Sequence, residues 1–415
     1  MVTQSTHPLS TSNSDWGVLR RFCWRTGVFF APLLGLCVVF EFAMWRTGDT
    51  WPVSRVVDVQ RRLGTTPSLY GRMLFSHQLN VYKYAMLKRT RPKIVIHGTS
   101  RVMQIRDFMF HPLEPWFYNA GGMMQSPQDV ATYAERIRRG DVPKPEVLIL
   151  GLDPWWVQED TKSTGWLDDQ SLQDDVWLFP AHIKAARQLV RRRVFPWQAV
   201  LTGAPSPSPG YHYQAIGAGP LFDGAGFRID GSLQIELEMV LESMHDPRYK
   251  DRNQILQMVT QHLLPFSLSA RVDSARVTLL LTALTALQHM GVDVYVFLPP
   301  FASAVQTVFE TSPTWQPFWR EYHLELPARL RAAGIPCLPL SVPQQDGFDD
   351  RYMYDGYHPA EIYAVALVKQ ILQQASPDSL LRTVDMASLD TLLSGTYPTP
   401  LSFERPPLSV EPAQR

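Results

Sequence analysis

The feature that most constrains this chain is an apolar run near its start, Gly27 to Trp45 (GVFFAPLLGLCVVFEFAMW), broken by a single charged residue, Glu41. About 20 apolar residues in a helix cross the hydrocarbon core of a bilayer. This run is apolar on every face, unlike the amphipathic helix of a soluble domain. The expectation is one transmembrane helix over residues 26–45. Arg20, Arg21 and Arg25 precede it, which favours an N-terminus in the cytoplasm and the rest of the chain outside, although Arg46 just beyond reduces the asymmetry. Trp24 and Trp45 stand where interfacial aromatics belong. A cleaved signal peptide is the alternative, but the chain continues Met44-Trp45-Arg46 without a small-residue cleavage site, and an uncleaved anchor is favoured. Residues 1–25 then form a basic cytoplasmic leader, disordered because it is rich in Ser, Thr and Asn and lacks apolar periodicity.

Two further observations limit the function classes. The 39 basic and 39 acidic side chains balance, so no global field draws the chain to nucleic acid. Cys23 and Cys37 lie at or within the span and leave Cys337 alone outside, which excludes an intramolecular disulfide there and any cysteine-based metal site. His97, His111, His262 and His358 have no metal-ligand spacing, and no glycine-rich phosphate loop is present, so neither metal nor cofactor is expected.

Beyond the anchor, residues 46–91 read as a stalk with helical character. After Pro92 the pattern changes to short apolar runs bounded by turn residues: Lys93–His97, Glu146–Leu150 and Val294–Leu298, as buried parallel strands are. Helical stretches, Gln128–Arg139, Ser269–Met290 and Phe318–Ala333, alternate with them, which predicts an α/β domain with a parallel sheet covered on both faces. Ligands of such sheets bind beyond the carboxyl ends of the strands. The segment from about 155 to 265 breaks the alternation and reads as a long insertion over that edge. Its tryptophans (Trp155, Trp156, Trp166, Trp177, Trp197) are either its small core or sugar-stacking platforms. Its basic run Lys184, Arg187, Arg191, Arg192 and Arg193 is either a solvated face or a contact for anionic glycan or lipid headgroups. Residues 376–415 read as a tail, disordered from the Pro-rich Thr396 onward.

Three separated pieces carry residue types suited to acyl transfer. Gly98-Thr99-Ser100-Arg101 follows a strand and opens a helix, so Ser100 presents a hydroxyl at the sheet edge and a backbone N–H to developing negative charge. An ordinary N-cap turn is the other reading of this piece alone. Tyr118-Asn119-Ala120-Gly121-Gly122 follows another short strand, and its glycines could let a backbone N–H approach a substrate oxygen, although taken alone the block reads as a plain loop. Asp355-Gly356-Tyr357-His358-Pro359 precedes the helical run Ala360–Gln374, and reads either as a general base, His358, oriented by Asp355, or as a turn aspartate beside a surface histidine.

The order of these pieces resembles the SGNH/GDSL hydrolase superfamily over residues 92–375, the insertion unmatched. That resemblance implies a three-layer α/β/α, flavodoxin-like parallel sheet with Ser100 as nucleophile and Asp355 and His358 as its partners. It places Gly121, with Gly122 and Asn119, on the oxyanion and substrate side. One block departs: the family's Gly-x-Asn-Asp is here Gly151-Leu152-Asp153-Pro154. An ionised Asp153 accepts hydrogen bonds and repels an oxyanion, so Asp153 is protonated, or Arg101 donates in its place, or the site is impaired.

The anchor, the GTSRV and YNAGG blocks, Gly226-Phe227-Arg228-Ile229-Asp230-Gly231-Ser232 and an FLPP strand end resemble more closely a membrane-anchored branch of this superfamily. That branch is similar to the partners of membrane-bound O-acyltransferases, as in teichoic acid D-alanylation or exopolysaccharide O-acetylation. It implies a single-pass protein of the bacterial inner membrane with a periplasmic domain. The substrate it implies is an acylated cell-envelope polysaccharide, and the partner a membrane-bound O-acyltransferase. The alternative is an SGNH-shaped accessory partner that does not turn over.

Overall fold

The structure is a computed structural model that describes residues 13–73, 78–159, 165–174, 183, 186–187, 195–208, 212–245, 251–267, 269–340 and 342–404. Of the basic run in the insertion only Arg187 falls within these residues, and Trp177 lies outside them.

The first helix, α1, spans Asn13–Thr47 and exposes most of its large apolar side chains. It is long and apolar enough to cross a membrane. Helix therefore begins well before residue 26: residues 13–25, expected as disordered leader, continue the span because no proline interrupts them and Leu19, Arg20 and Arg21 propagate a helix well. Two helices follow, α2 (Val53–Leu63) and α3 (Leu79–Thr90), and later α4 (Pro127–Arg139).

Ten strands are described: β1 (Ser68–Tyr70), β2 (Ile94–His97), β3 (Phe117–Asn119), β4 (Val147–Gly151), β5 (Ser206–Pro207), β6 (Gln214–Ile216), β7 (Gly226–Phe227), β8 (Leu233–Gln234), β9 (Asp293–Leu298) and β10 (Cys337–Pro339). They form two sheets. The main sheet has the order β10-β9-β4-β2-β3 and every neighbour pairs parallel. Its central strands β2 and β4 are buried at every position, which is why they read as unbroken apolar runs. The helix Ser274–His289 packs on α4 over this sheet. It starts five residues later than the apolar pattern, because the carboxylate of Asp273 caps it by accepting the N–H groups of Ala275 and Arg276.

The second sheet, β5-β6-β1-β7-β8, is mixed, with β1 parallel to β6 and antiparallel to β7. Its central strand comes from the expected stalk and the other four from the expected insertion. The stalk is therefore not a stalk. In α2, Val53, Val56, Val57 and Val59 face inward while Arg55, Asp58, Arg61 and Arg62 stay exposed. The buried amino group of Lys83 in α3 donates to the carbonyls of Asn119 (3.1 Å) and Gly231 (2.8 Å), joining this helix to both sheets. Strands of two or three residues carry no periodicity to detect, which is why the sequence hid this sheet.

The C-terminal segment is also part of the fold. A helix covers Met386–Ser394, and Thr399, Leu401 and Ser402 are buried, so residues 396–404 are not a disordered tail. Leu401 packs with Tyr354 and Ala360. Leu401→Ala is expected to cost about 2–4 kcal/mol, the usual penalty for a cavity left by a buried leucine. A urea denaturation midpoint would read it, and a loss below about 0.5 kcal/mol, the range of ordinary surface substitutions, would mean the segment does not pack.

His97 closes β2 in full burial, its ring 4.5 Å from that of Tyr133 on α4. Burial pushes its pKa down to about 3, whereas in the unfolded chain it titrates near about 6.5. Between those values the unfolded state takes up a proton that the folded state refuses, so stability falls as pH drops through this window. Moving from pH 7.5 to 5 is expected to cost about 1–2 kcal/mol through this residue alone. His97→Leu should flatten the pH dependence of the denaturation midpoint by that amount, and an unchanged slope would contradict it.

Candidate active site

The site is built at the carboxyl ends of β2, β4 and β9. After β2 the chain turns at Gly98, whose φ is +150° and where a Cβ would lie 2.9 Å from the carbonyl oxygen of Gly151. Only glycine fits that close approach. Thr99 caps the next turn by accepting the N–H of Arg101, and Ser100–Val102 forms a single 3-10 turn rather than the start of a long helix. This leaves Ser100 half-buried at the sheet edge.

From the other end of the chain, the loop before the helix Glu361–Gln373 brings His358 to it. Ser100 Oγ and His358 Nε2 are 2.7 Å apart, and His358 Nδ1 and Asp355 Oδ2 are 2.7 Å apart. Asp355 Oδ1 accepts the backbone N–H groups of Tyr357 (2.8 Å) and His358 (2.7 Å). Burial pushes the Asp355 carboxyl up, but the adjacent imidazole and the two N–H groups outweigh it and hold it below the ordinary carboxylate range. An ionised Asp355 takes the Nδ1 proton of His358 in a hydrogen bond. Nε2 is then the acceptor for the Ser100 hydroxyl, the arrangement a serine nucleophile requires.

Arg101 and Asp153 occupy positions other than those expected. The Arg101 guanidinium is buried and engaged through all three nitrogens: Nη1 donates to Asp153 Oδ1 (2.6 Å), Nε to the carbonyl of Tyr357 (2.8 Å), and Nη2 to the carbonyls of Pro299 (2.9 Å) and Pro300 (2.5 Å). Phe301 stacks on it at 4.0 Å. Asp153 spends its second oxygen on the hydroxyl of Thr99 (2.5 Å). Burial raises the Asp153 pKa, and Arg101 and Thr99 pull it back toward ionisation. Asp153 thus neither faces an oxyanion nor needs replacing by Arg101. The pair is a buried clamp that joins the turn after β2, the ends of β4 and β9, and the loop bearing His358.

The glycine block is likewise structural. The N–H of Gly121 donates to Asn119 Oδ1 (2.8 Å) and that of Gly122 to the carbonyl of Gly98 (2.7 Å). Asn119 Nδ2 donates to the carbonyls of Val102 and Ile105, both at 2.8 Å. A Cβ on Gly121 would meet Val102 Cγ2 at 2.6 Å. Asn119, Gly121 and Gly122 therefore hold the turn of Ser100 from behind, and both glycine N–H groups are taken up within the fold. The N–H of Ser100, first in its turn, has no acceptor among the described residues, so it is the backbone donor at this turn that an oxyanion could use.

Residues to which sequence reading assigned no role in the site complete the support. Arg228, from the Gly226–Ser232 block, is buried and donates to Glu361 Oε1 (2.8 Å), and Ser402 Oγ donates to Glu361 Oε2 (3.0 Å). The carbonyl of Leu401 accepts the N–H of Glu361 at 3.2 Å. Second sheet and C-terminal segment thus both grip the residue three positions beyond His358. The tryptophans beside the site, Trp155 and Trp156, are buried core rather than open platforms, whereas Trp197 is exposed. No protein-family model matches the chain, and no curated protein matches it in sequence.

Proposed function

We propose that this chain is a membrane-anchored, SGNH-like serine acyltransferase or esterase that acts on acyl groups, above all acetyl, of a cell-envelope or extracellular polysaccharide. The observation that carries the proposal is the unbroken relay from Ser100 through His358 to Asp355, with both links at 2.7 Å. A five-stranded parallel sheet with the relay at its carboxyl edge supports the three-layer SGNH-like fold. Arg20, Arg21 and Arg25, in the part of α1 ahead of its apolar run, support a cytoplasmic N-terminus, a bacterial inner-membrane location and a periplasmic domain.

In the proposed reaction, Ser100 Oγ attacks the acyl carbonyl carbon while its proton passes to His358 Nε2. The Ser100 N–H donates to the oxyanion, and Asp355 stabilises the imidazolium. Collapse breaks the bond to the leaving alkoxide, which takes the proton from His358. A sugar hydroxyl, or water in an esterase, then repeats the sequence in reverse and frees Ser100.

A second reading has its own observation. With Gly121, Gly122 and Asp153 engaged elsewhere, Ser100 is left with one backbone donor for an oxyanion. That favours an accessory domain that binds acylated glycan or docks on a membrane-bound O-acyltransferase without turnover. The test uses the full chain, because α1 and residues 399–404 are integral to the fold. Incubation with p-nitrophenyl acetate followed by acid quench and peptide mass spectrometry should find acetyl on Ser100. Absence of both p-nitrophenol release and the adduct would support the accessory reading.

A further inference from the structure

The junction of α1 with the folded domain is rigid. Ala43, Met44 and Thr47 are buried, the carbonyl of Arg46 accepts the N–H of Ala204 (2.7 Å), and that of Thr47 accepts the N–H of Gly217 (2.7 Å). The Arg46 guanidinium reaches the short helix Trp197–Thr202 and donates to its carbonyls, Nε to Val200 (2.8 Å) and Nη2 to Leu201 (2.5 Å). Gly203 ends that helix at φ +87°, and a Cβ there would lie 3.1 Å from the guanidinium carbon. The short helix is therefore bound through its last carbonyls to the final turn of α1, a cap that fixes its attitude to the anchor.

So fixed, it turns apolar side chains outward. Trp197 is 65% exposed and Leu201, four positions on and so on the same face, 76%. On α1, Phe42 is 56% and Trp45 44% exposed, with their rings 6.2 Å apart. Arg55 places its guanidinium over Trp45 at 5.6 Å and over Trp51 at 4.0 Å. An apolar collar with tryptophan and a cation at its rim, continuous with an apolar helix, has the composition of a membrane–water boundary.

We propose that the helix Trp197–Thr202 is a second membrane contact, its Trp197 and Leu201 seated in the headgroup and upper acyl region of the leaflet where α1 ends. The proposal rests on α1 spanning a bilayer. It gives the outer domain a fixed height and tilt on the membrane, since two elements locked by Arg46 enter the same leaflet, and it confines Ser100 to acyl groups presented at that height. Interfacial elements of this kind bury their apolar side about 5–10 Å into the boundary.

The test is an environment-sensitive NBD fluorophore on Leu201→Cys in the full chain, reconstituted in phosphatidylethanolamine and phosphatidylglycerol vesicles. Cys23 and Cys37 are replaced by alanine. Cys337 stays, because burial pushes its thiol up to about 12 and keeps it unreactive. Parallel probes sit on Leu33→Cys within α1 and on the exposed Leu324→Cys. The expected result is a blue-shifted probe at 201, quenched by shallow spin-labelled lipid and several-fold less accessible to iodide than the probe at 324. If 201 matches 324 in iodide access while 33 reports the hydrocarbon core, the second contact is wrong and the anchor stands. If 33 itself reports water, the anchor is wrong and the contact falls with it.

Discussion

Ser100→Ala is expected to lower kcat/KM of the full chain for p-nitrophenyl acetate by about 10⁴- to 10⁶-fold, the range seen when a serine nucleophile is removed from a working relay. The hydroxyl is half-buried and, among the described residues, bonds to His358 alone, so the thermal midpoint should barely move. Asp355→Asn should come close in effect by a different route. The amide has one acceptor oxygen, which the N–H groups of Tyr357 and His358 hold, so its NH2 faces Nδ1, favours the wrong tautomer, and is expected to cost about 10⁴-fold. Measured together with unchanged circular dichroism, these variants separate loss of chemistry from loss of fold. Hydrolysis that survives Ser100→Ala would place any esterase activity elsewhere and leave the accessory reading.

The second large effect concerns stability. Arg101→Met or Asp153→Asn is each expected to destabilise the fold by about 3–5 kcal/mol, because each leaves the partner's charge buried and unpaired. Arg101 has no route to solvent: both proline carbonyls, the Tyr357 carbonyl and the Phe301 ring enclose what Asp153 does not. The double variant Arg101→Met with Asp153→Leu should recover much of that loss, since a well-packed apolar pair often matches a buried ion pair. Denaturant midpoints of the four proteins form the cycle, and additive losses in the double variant would refute the clamp. Activity in the double variant should stay low even if stability returns. Arg101 also orients the loop bearing His358 through the Tyr357 carbonyl, and an apolar side chain cannot do that.

Those two residues show where the chain is legible and where it is not. Asp153 is visible in the sequence as a departure from the Gly-x-Asn-Asp pattern, and charge alone suggested that it opposes an oxyanion. The residue that neutralises it, Arg101, lies 52 positions away in sequence, and nothing local reveals that the pair is closed off from the site. The same holds for the glycine block. Gly121 and Gly122 suggest a backbone near a ligand, but Asn119 and Gly98 already take their N–H groups.

By itself the sequence determined the elements whose signal is local and repeated: the long apolar helix, the fully apolar strands β2, β4 and β9, the helices between them, and the residue types of Ser100, Asp355 and His358. Burial on both faces writes itself into every residue of such a strand, and a bilayer into every face of such a helix. Tertiary structure alone decided the rest. It brought Ser100 to His358 across 258 positions, and it turned the expected stalk and insertion into one second sheet. It folded residues 401–403 onto Glu361 and locked the base of α1 to the helix Trp197–Thr202. Each of these depends on pairing between short, distant segments, where the stabilising contact lies in the partner and leaves no periodicity in the chain that makes it.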